Sequence, residues 1–321
     1  MNVGIIGCGR WGTFHAWYAN KIGHNVMLYG RANSENMRRL EISRSNEYLK
    51  LPAHVQLTKN LDEILNFAEV VIISVGSQNL RGLVKEINFA SKNILAQKFF
   101  VLCMKGLERG TGKRLTEVFI EEKKSARNIA VWVGPGHVQD FLNEIPNCMV
   151  MSSPDENLTR HLVEIFKSPL IRFYYGKDLI GTEIGAAAKN VVGIAAGMLD
   201  GLHFTSLKGA LMARGTAELS RLVDALGGDK MTVYGLSHLG DYEATLFSPY
   251  SNNRRFGEDF VLHKKFSKLA EGVETVAALI QLSQSVKVEL PISNAVYKIL
   301  YENCDPKEEL TKLFLRSTKE E

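Results

Sequence analysis

The chain has 321 residues, of which 45% are hydrophobic and 23% are charged, and its formal net charge at pH 7 is +4. This composition is ordinary for a soluble globular protein and gives no reason to expect disorder. Lysine and arginine are interspersed with aspartate and glutamate, so we predict no nucleic-acid partner. A chain of this length can form two domains, each with its own hydrophobic core.

The cysteines indicate a reducing compartment and not a metal site. Cys8, Cys103, Cys148 and Cys304 lie far apart in the sequence and match no metal-ligand spacing. We interpret them as small core residues and predict no bound metal and a cytoplasmic location. The residues after Met1 have the pattern of a strand and not of a signal peptide, which supports the same expectation.

The chain begins with a strand pattern, a glycine turn, a helical pattern and a second strand pattern. The turn has the spacing G-x-G-x-x-G at Gly7, Gly9 and Gly12, and it lies between the strand patterns Asn2–Gly7 and Asn25–Tyr29. In this setting the first glycine allows a tight turn, the second lets the backbone approach a pyrophosphate, and the third lets the helix pack on the strand. The helix N-terminus then presents N–H groups to the phosphates. We therefore predict a dinucleotide-binding site.

The end of the second strand pattern bears on the choice of dinucleotide. An acidic residue there would bind the ribose 2′-hydroxyl of NAD, but this chain has Gly30 and Arg31, and arginine accommodates a 2′-phosphate. We predict that NADP is preferred over NAD. The alternative is that Arg31 is a solvated loop residue and that either cofactor is used.

Three further strand patterns extend the predicted sheet. They cover Ala68–Val75, Lys98–Met104 and Ile129–Val133, and they are followed by Gly76, by Lys105 and by Gly134-Pro135-Gly136. Strands that alternate with helices form a parallel sheet, and the loops at its carboxyl edge form the ligand crevice. We predict an α/β Rossmann-type domain over residues 1–178, with Lys105 near the bound phosphates.

After residue 178 the alternation stops, and helical patterns alone follow. They cover Leu179–Leu199, Ser206–Leu226, Met231–Leu236, Phe260–Lys264, Val273–Gln284 and Ile292–Tyr301. We predict an all-α C-terminal domain over residues 179–321. The first of these helices is apolar on all sides, which is typical of a buried helix, and its few polar residues make a membrane span improbable on composition.

One lysine interrupts this apolar helix. A buried ammonium is costly, so Lys189 should either become neutral or face a polar cavity in which it has a chemical role. The alternative is that its stem crosses apolar surface and its ammonium reaches solvent. The sequence of the helix does not decide between the two.

A series of short motifs runs through the chain in a fixed order. They are Gly7-x-Gly9-x-x-Gly12, Asn46-Glu47-Tyr48-Leu49, Lys105-Gly106-Leu107, Gly134-Pro135, Gly185-Ala186-Ala187-Ala188-Lys189-Asn190-Val191, Asp200-Gly201-Leu202, Arg214-Gly215, Leu239-Gly240-Asp241, Asn253-Arg254-Arg255-Phe256-Gly257 and Glu271-Gly272-Val273-Glu274-Thr275. In this order they resemble the bacterial NAD(P)-dependent sn-glycerol-3-phosphate dehydrogenases over essentially the whole chain.

The resemblance implies an oxidoreductase that transfers hydride reversibly between NAD(P)H and dihydroxyacetone phosphate. The product, sn-glycerol 3-phosphate, is the backbone precursor of phospholipids. The resemblance makes Lys189 the acid/base on the substrate oxygen, which agrees with the ability of a positioned ammonium to stabilise and protonate that oxygen. Asp241 would hold the substrate hydroxyl or orient Lys189, and Lys105 would contact substrate and cofactor. The family also implies a homodimer and no membrane span.

The same resemblance implies two sets of binding residues. Substrate contacts are expected from Lys105, Gly134, Gly136, Lys189, Asp241, Ser251, Asn252, Asn253 and Arg254. Cofactor contacts are expected from Gly7, Gly9, Arg10, Trp11, Gly12, Arg31, Lys105, Val138, Asn252, Leu269 and Glu271. Structural alternatives remain for some of them: a core aromatic for Trp11, a solvated helix charge for Glu271, a helix N-cap for Asp241 and a surface charge for Arg254.

Four departures from the family pattern lie around the expected crevice. Asn252 stands where an arginine is usual, the glycine-rich turn is replaced by His203-Phe204-Thr205-Ser206, Gly136-His137-Val138 replaces Thr-Phe-Ala, and Gly76 replaces a proline. Loss of an arginine fork is not conservative. One alternative is therefore a diverged reductase of another small phosphorylated or acidic ketone. Another is a cofactor-binding protein without catalysis, which the retained lysines and Asp241 disfavour. His137 and His203 are either packed or surface residues, or one of them replaces part of the missing anion contact.

Overall fold

The structure is a computed structural model, and it describes residues 1–90, 98–123 and 128–317. The chain forms two compact units. The first consists of Met1–Met104 and Leu115–Leu179, and the second of Lys105–Arg114 and Ile180–Glu321. The segment that begins at Lys105 therefore belongs to the helical unit, although it follows a strand of the first one.

The described part of the first unit contains an eight-stranded sheet. Its strands are β1 (Asn2–Ile6), β2 (Asn25–Tyr29), β3 (Gln56–Thr58), β4 (Val70–Ile73), β5 (Phe99–Leu102), β6 (Ile129–Val133), β7 (Asn147–Ser152) and β8 (Ile171–Gly176). Their spatial order is β3-β2-β1-β4-β5-β6-β7-β8, and the pairs are parallel except for β6 with β7. The order of the first six strands is that of dinucleotide-binding folds.

Helices connect these strands and cover the sheet. They are α1 (Arg10–Lys21), α2 (Glu35–Ser43), α3 (Leu61–Phe67), α4 (Leu80–Ala90), α5 (Leu115–Lys123), α6 (Val138–Leu142) and α7 (Glu156–Phe166). Along β4, Val70 and Ile72 belong to one apolar cluster while Val71 and Ile73 belong to another. Successive residues of a strand point to opposite faces, so both faces of the sheet are buried at β4. The predicted Rossmann-type domain is confirmed.

The second unit is helical in its described residues, as predicted. Its helices are α8 (Leu179–Gly201), α9 (Lys208–Ala225), α10 (Asn252–Val261), α11 (Glu271–Ser285), α12 (Pro291–Tyr301) and α13 (Pro306–Phe314). Short 3₁₀ turns lie at Thr205–Leu207, Lys230–Tyr234 and Leu239–Asp241, and a π-helical turn covers Glu243–Phe247. The helix predicted at Phe260–Lys264 is displaced toward the N-terminus, because Ser251 caps α10 by accepting a hydrogen bond from the backbone N–H of Arg254.

Helix α8 is buried along nearly its whole length. It is long and apolar enough to cross a membrane by length and composition, but 89% of its most apolar window is buried within the protein. Its polar side chains have partners: Glu183 pairs with Arg114 at 2.9 Å, and Lys189 pairs with Asp241 at 2.5 Å. Such pairing allows charged residues to lie inside a protein core. The helix therefore has the properties of a core helix.

Candidate active site

The glycine turn of the first unit is built for close backbone packing. Gly7 has φ of +114°, and a Cβ there would lie 2.2 Å from the carbonyl oxygen of Ser74. A Cβ on Gly12 would lie 1.8 Å from the carbonyl oxygen of Gly7. Both positions therefore require glycine for the turn itself. A Cβ on Gly9 would meet nothing within 4 Å, so this residue instead leaves open space beside the turn.

The open space adjoins the N-terminus of α1. Gly9 is the N-cap of this helix and has no side chain with which to cap the first N–H groups. The first turn contains no acidic residue. The N-terminal end of a helix presents backbone N–H groups and the positive end of the helix dipole, which favour an anion at this position. The residues present therefore fit the pyrophosphate of a dinucleotide.

The other predicted cofactor residues of the first unit surround this turn or follow nearby strands. The Arg10 guanidinium lies 5.1 Å from the centroid of the Tyr48 ring, and Trp11 packs edge-on against Phe14 at 5.4 Å. Arg31 follows β2, is exposed, and lies 3.8 Å from the carboxylate of Glu86. A weak ion pair at this distance leaves the arginine able to bind another anion.

The end of β6 forms a second glycine turn. Gly134 and Gly136 have φ values of +140° and +125°, which disfavour other residues. A Cβ on Gly136 would lie 2.7 Å from the ring of Phe141, so the turn packs tightly on α6. His137, the N-cap of α6, is half-buried, and Val138 is buried at its first position.

The central feature of the second unit is a carboxylate shared by two ammonium groups. The Lys189 Nζ lies 2.5 Å from Oδ2 of Asp241, and the Lys105 Nζ donates a hydrogen bond of 2.8 Å to the same oxygen. Lys189 is 5% exposed and Asp241 is 1% exposed, so the interpretation in which Lys189 reaches solvent is wrong. The N-cap interpretation of Asp241 is also wrong, since Asp241 ends a 3₁₀ turn that His238 caps.

A threonine completes the immediate surroundings of Lys189. The Lys189 Nζ donates a 2.8 Å hydrogen bond to Oγ1 of Thr245, which lies in the π-helical turn Glu243–Phe247. Such π-turns occur frequently at functional sites. Gly193, one turn after Lys189 in α8, permits this approach, since a Cβ there would lie 2.8 Å from the Thr245 methyl. Lys189 therefore has two acceptors and a fixed direction.

Asparagines connect this cluster to the surrounding backbone. Asn190 donates to the carbonyl oxygen of Lys105 at 2.8 Å and accepts from the Asn253 carboxamide at 3.0 Å. Asn253 in turn accepts from the backbone N–H of Gly272 at 2.9 Å. The chain of bonds fixes the segment that carries Lys105. Asn253 therefore has a structural contact in addition to its predicted role toward substrate.

Burial and the neighbouring charges set the ionisation of Lys189. Burial lowers the pKa of Lys189 to about 7, Asp241 opposes this shift, and the positive charge of Lys105 adds to it. A lysine with a pKa near neutrality can both donate and accept a proton at physiological pH. The cluster can therefore act as an acid or as a base.

The predicted phosphate end of the substrate site contains its own ion pairs. Arg254 Nε lies 2.8 Å from Oδ2 of Asp200, and its Nη1 donates to Glu258 at 3.1 Å. The Lys208 ammonium lies 2.6 Å from the same Asp200 oxygen. The surface-charge interpretation of Arg254 is wrong, because its side chain is 17% exposed.

The remaining predicted residues of the second unit lie at the starts of α10 and α11 and in the segment after α8. Asn252 is the first residue of α10, and its carboxamide donates to the carbonyl oxygen of Leu269 at 3.0 Å. The Leu269 side chain is exposed, and Glu271 begins α11. His203 is exposed and has φ of +61°.

Sequence reasoning missed Thr245, which contacts the Lys189 ammonium, and Asn190, which contacts the backbone of Lys105. A signal for Asn190 was present, since it follows Lys189 directly in the motif. Thr245 follows Asp241 by one turn of a helix, but nothing in the sequence distinguishes it from a solvated threonine. No group of three potential metal-ligating side chains occurs among the described residues.

Comparisons with known proteins match this chain over most of its length. The family profile described as NAD-dependent glycerol-3-phosphate dehydrogenase N-terminus matches residues 2–159, and the profile of the C-terminus matches residues 178–311. Together the two profiles cover most of the chain.

Individual relatives match over nearly their full lengths. A glycerol-3-phosphate dehydrogenase [NAD(P)+] of Pelodictyon phaeoclathratiforme is 34% identical, with 100% of this chain and 99% of the relative covered. An enzyme of the same name from Chlorobium chlorochromatii is 36% identical, with 94% of each chain covered. The crystal structure of glycerol-3-phosphate dehydrogenase from Coxiella burnetii is 27% identical with a TM-score of 0.90, and the match covers 98% of this chain and 99% of that one.

Proposed function

Because this chain belongs to the NAD-dependent glycerol-3-phosphate dehydrogenase family, we propose that it reversibly reduces dihydroxyacetone phosphate to sn-glycerol 3-phosphate with NAD(P)H. The observation that carries this proposal is the buried carboxylate of Asp241, which contacts the ammonium groups of both Lys189 and Lys105. A protein that only binds a dinucleotide has no need of such a group.

In the proposed reaction, Lys189 is the general acid. Hydride adds to the carbonyl carbon of the substrate, and negative charge develops on the carbonyl oxygen. The Lys189 ammonium stabilises this charge and transfers one proton to the oxygen, so that an alcohol and a neutral amine result. A pKa of about 7 makes the neutral amine accessible at physiological pH. In the reverse direction the amine takes the proton from the alcohol.

Asp241 and Lys105 support both states of Lys189. Before proton transfer, two ammonium groups share one carboxylate, so the cluster has an excess positive charge that attracts an anionic substrate. After the transfer, Lys105 still neutralises Asp241, and no unpaired charge remains buried. Thr245 keeps Lys189 directed through its 2.8 Å hydrogen bond.

For the substrate phosphate we propose the start of α10. Ser251, Asn252, Asn253 and Arg254 lie there, and Arg254 is suited to contact with a phosphate. The glycines Gly134 and Gly136 are proposed to approach the substrate through their backbone. Arg254 is also held by Asp200 and Glu258, so its contact with phosphate competes with two carboxylates.

The cofactor supplies the hydride when it is bound. We propose that Gly7, Gly9 and Gly12 hold its pyrophosphate, supported by the open space at Gly9 and the N-terminus of α1. Preference for NADP is proposed from Arg31, which follows β2 and is only weakly paired with Glu86. We assign the further cofactor contacts to the residues in this list: Arg10, Trp11, Lys105, Val138, Asn252, Leu269 and Glu271.

We further propose that the protein is a cytoplasmic homodimer whose product feeds glycerophospholipid synthesis. The free cysteines, of which Cys8 and Cys103 are buried, are consistent with a reducing compartment. The dimer is proposed from family membership alone. Analytical ultracentrifugation would test it by giving the mass of one chain, 35.8 kDa, or of two.

A second candidate function is reduction of a different small phosphorylated or acidic ketone. It is favoured by Asn252, whose carboxamide donates to the Leu269 carbonyl in a position where the family has an arginine. A neutral amide cannot replace an arginine fork in phosphate binding. The two candidates share the chemistry of Lys189 and differ only in the substrate.

One assay tests both candidates. Oxidation of NADPH and NADH is followed by absorbance with dihydroxyacetone phosphate, with unphosphorylated dihydroxyacetone and with a panel of phosphorylated and carboxylated ketones. We expect the highest kcat/KM with dihydroxyacetone phosphate and very low activity without the phosphate. A higher value with another acidic ketone would favour the second candidate, and binding of NADPH without turnover of any ketone would overturn both.

A further inference from the structure

A buried histidine and a buried tyrosine flank Asp241 in the sequence and have no part in the mechanism above. We propose that His238, together with Tyr242, is a positioning residue that holds the carboxylate of Asp241 against the ammonium of Lys189. Both side chains are 0% exposed and lie in the second unit. This inference rests on the proposed function of the Lys189 cluster, which it deepens.

The hydrogen bonds of His238 select one tautomer. Its Nδ1 lies 2.9 Å from the carbonyl oxygen of Gly185, and its Nε2 lies 2.7 Å from the hydroxyl oxygen of Tyr242. A carbonyl oxygen can only accept, so Nδ1 carries the proton and Nε2 accepts from the Tyr242 hydroxyl. Burial lowers the pKa of His238 to about 4, which agrees with a neutral ring.

The contact with Gly185 ties the Asp241 turn to helix α8. Gly185 lies one helical turn before Lys189, on the same side of the helix. A Cβ on Gly185 would lie only 3.0 Å from the Cβ of His238. The glycine therefore lets the histidine backbone come close enough for its ring to reach the carbonyl oxygen.

Tyr242 fixes the other end of the same turn. It follows Asp241 directly, and its hydroxyl lies close to Gly215 of α9. A Cβ on Gly215 would be only 3.0 Å from the Tyr242 hydroxyl oxygen. Between the two aromatic residues, the backbone N–H of Asp241 donates to the carbonyl oxygen of His238 at 3.0 Å. The main chain of Asp241 is therefore held from both sides, by α8 and by α9.

This arrangement suits the demands of the cluster. Asp241 must keep its Oδ2 within 2.5 Å of one ammonium and 2.8 Å of another. A misplacement of about 1 Å can lower an enzyme's rate on the order of a hundredfold. A neutral imidazole supplies the needed hydrogen bond without adding a third positive charge beside Lys189 and Lys105.

Three variants test the positioning role. We expect His238→Ala to lower kcat on the order of ten- to a hundredfold while KM for NADPH stays unchanged. His238→Asn should recover most of kcat, because its carboxamide N–H can replace Nδ1–H toward Gly185. Tyr242→Phe keeps the bond to Gly185 and should cause a smaller loss than His238→Ala.

The pKa of Lys189 provides a readout that a purely structural role would not change. The charged groups that face Lys189 are Asp241, which raises its pKa, and Lys105, which lowers it. If Asp241 is displaced in His238→Ala, the midpoint of the Lys189 titration should move to lower pH. In His238→Asn the midpoint should return toward that of the wild type. The Nζ signal of Lys189 in NMR reports this midpoint without substrate, so the test stands even if the wild type fails to reduce dihydroxyacetone phosphate.

Tyr18→Phe is the matched control. Tyr18 is a fully buried tyrosine of the first unit whose hydroxyl donates to the carbonyl oxygen of Phe166 at 2.6 Å. Its loss should lower Tm without changing kcat or the Lys189 midpoint. The same pattern in His238→Ala would overturn the proposal. If that variant does not fold, Tyr242→Phe decides: a wild-type kcat and midpoint would overturn the proposal, and a shift to lower pH would support it.

Discussion

In the first unit the predicted ligand surface consists of the backbone of Gly7, Gly9 and Gly12. In the second unit the proposed reaction depends on side chains, those of Lys105, Lys189, Asp241 and Thr245. The glycine turn occupies one short stretch of sequence, and its geometry follows from local steric limits. The lysine cluster combines residues from separate elements, and its properties follow from burial and charge.

The difference predicts how each region responds to substitution. A main-chain site is damaged by added atoms, because a new Cβ occupies space that the turn or the ligand needs. A side-chain site is damaged by removed atoms, because the remaining buried groups lose their partners. The variants below test this contrast in both regions.

The largest effect is expected from removal of the proposed general acid. Lys189→Met keeps most of the side-chain volume and removes the ammonium, and it should lower kcat for ketone reduction about a hundred- to ten-thousandfold. Steady-state kinetics with saturating NADPH would measure this loss. The affinity for NADPH, measured by fluorescence titration, should stay close to that of the wild type.

Lys98→Met controls for the loss of a buried ammonium. Lys98 is 5% exposed, belongs to the first unit, and donates to the carbonyl oxygen of Ala68 at 2.6 Å. It should lower Tm and leave kcat unchanged. Equal losses of kcat in both variants would attribute the effect of Lys189→Met to general destabilisation and not to chemistry.

The glycine turn should respond in two distinct ways. Gly12→Ala places a Cβ 1.8 Å from the carbonyl oxygen of Gly7, so it should lower Tm or prevent folding of the first unit. Gly9→Ala places its Cβ in open space, so it should fold normally and weaken NADPH binding roughly ten- to a hundredfold by blocking hydrogen bonds to the pyrophosphate. Calorimetry for Tm and titration for Kd separate the two effects.

Gly209→Ala is the matched control for Gly9→Ala. Gly209 lies in the first turn of α9, and a Cβ there would also meet nothing within 4 Å. Its substitution should leave the Kd for NADPH unchanged. A Gly9→Ala variant that binds NADPH as tightly as the wild type would place the pyrophosphate elsewhere.

A smaller effect is expected at Arg31. Arg31→Ala should raise the Kd for NADPH about tenfold and leave the Kd for NADH unchanged, since only NADPH carries the 2′-phosphate. Arg160→Ala is a suitable control, because Arg160 and Arg31 both have 55% of their side chain exposed and each lies near one glutamate. An unchanged ratio of the two Kd values in Arg31→Ala would show that another group selects the cofactor.

The success of sequence reasoning follows the same division between main chain and side chain. The glycine motif and its flanking strands identified the Rossmann fold, because the spacing reflects local backbone geometry. β2 and β6 have the predicted bounds, while β3, β7 and β8 were not predicted. Strand β8 has a partly exposed pattern and mixed composition, so no continuous aliphatic run marks it.

The active-site cluster was only partly accessible from the sequence. Lys189 is recognisable from the sequence as a lysine in an apolar helix, and the family motifs point to Lys105 and Asp241. Their convergence on one carboxylate oxygen depends on tertiary packing, which periodicity and spacing do not encode. The contacts of Thr245 and His238 depend on a π-helical turn and on Gly185, and neither has a local sequence signal.

The most direct test of the proposed mechanism is the pH dependence of kcat/KM in both directions. Reduction requires the Lys189 ammonium, so its rate should fall as pH rises through about 7, and oxidation requires the neutral amine, so its rate should rise over the same range. The substrate phosphate also titrates, at about pH 6, so the pH dependence must be assigned either to the phosphate or to Lys189. The variant Lys105→Met makes this assignment. Lys105 lowers the pKa of Lys189, and its removal should shift the midpoint to higher pH.

If Lys189 donates and accepts the proton, the pH profiles of reduction and oxidation slope in opposite directions and share a midpoint near pH 7, which moves upward in Lys105→Met. Profiles that are flat, that have the same direction for reduction and oxidation, or that do not move in Lys105→Met would contradict the role of Lys189 as the group that donates and accepts the proton.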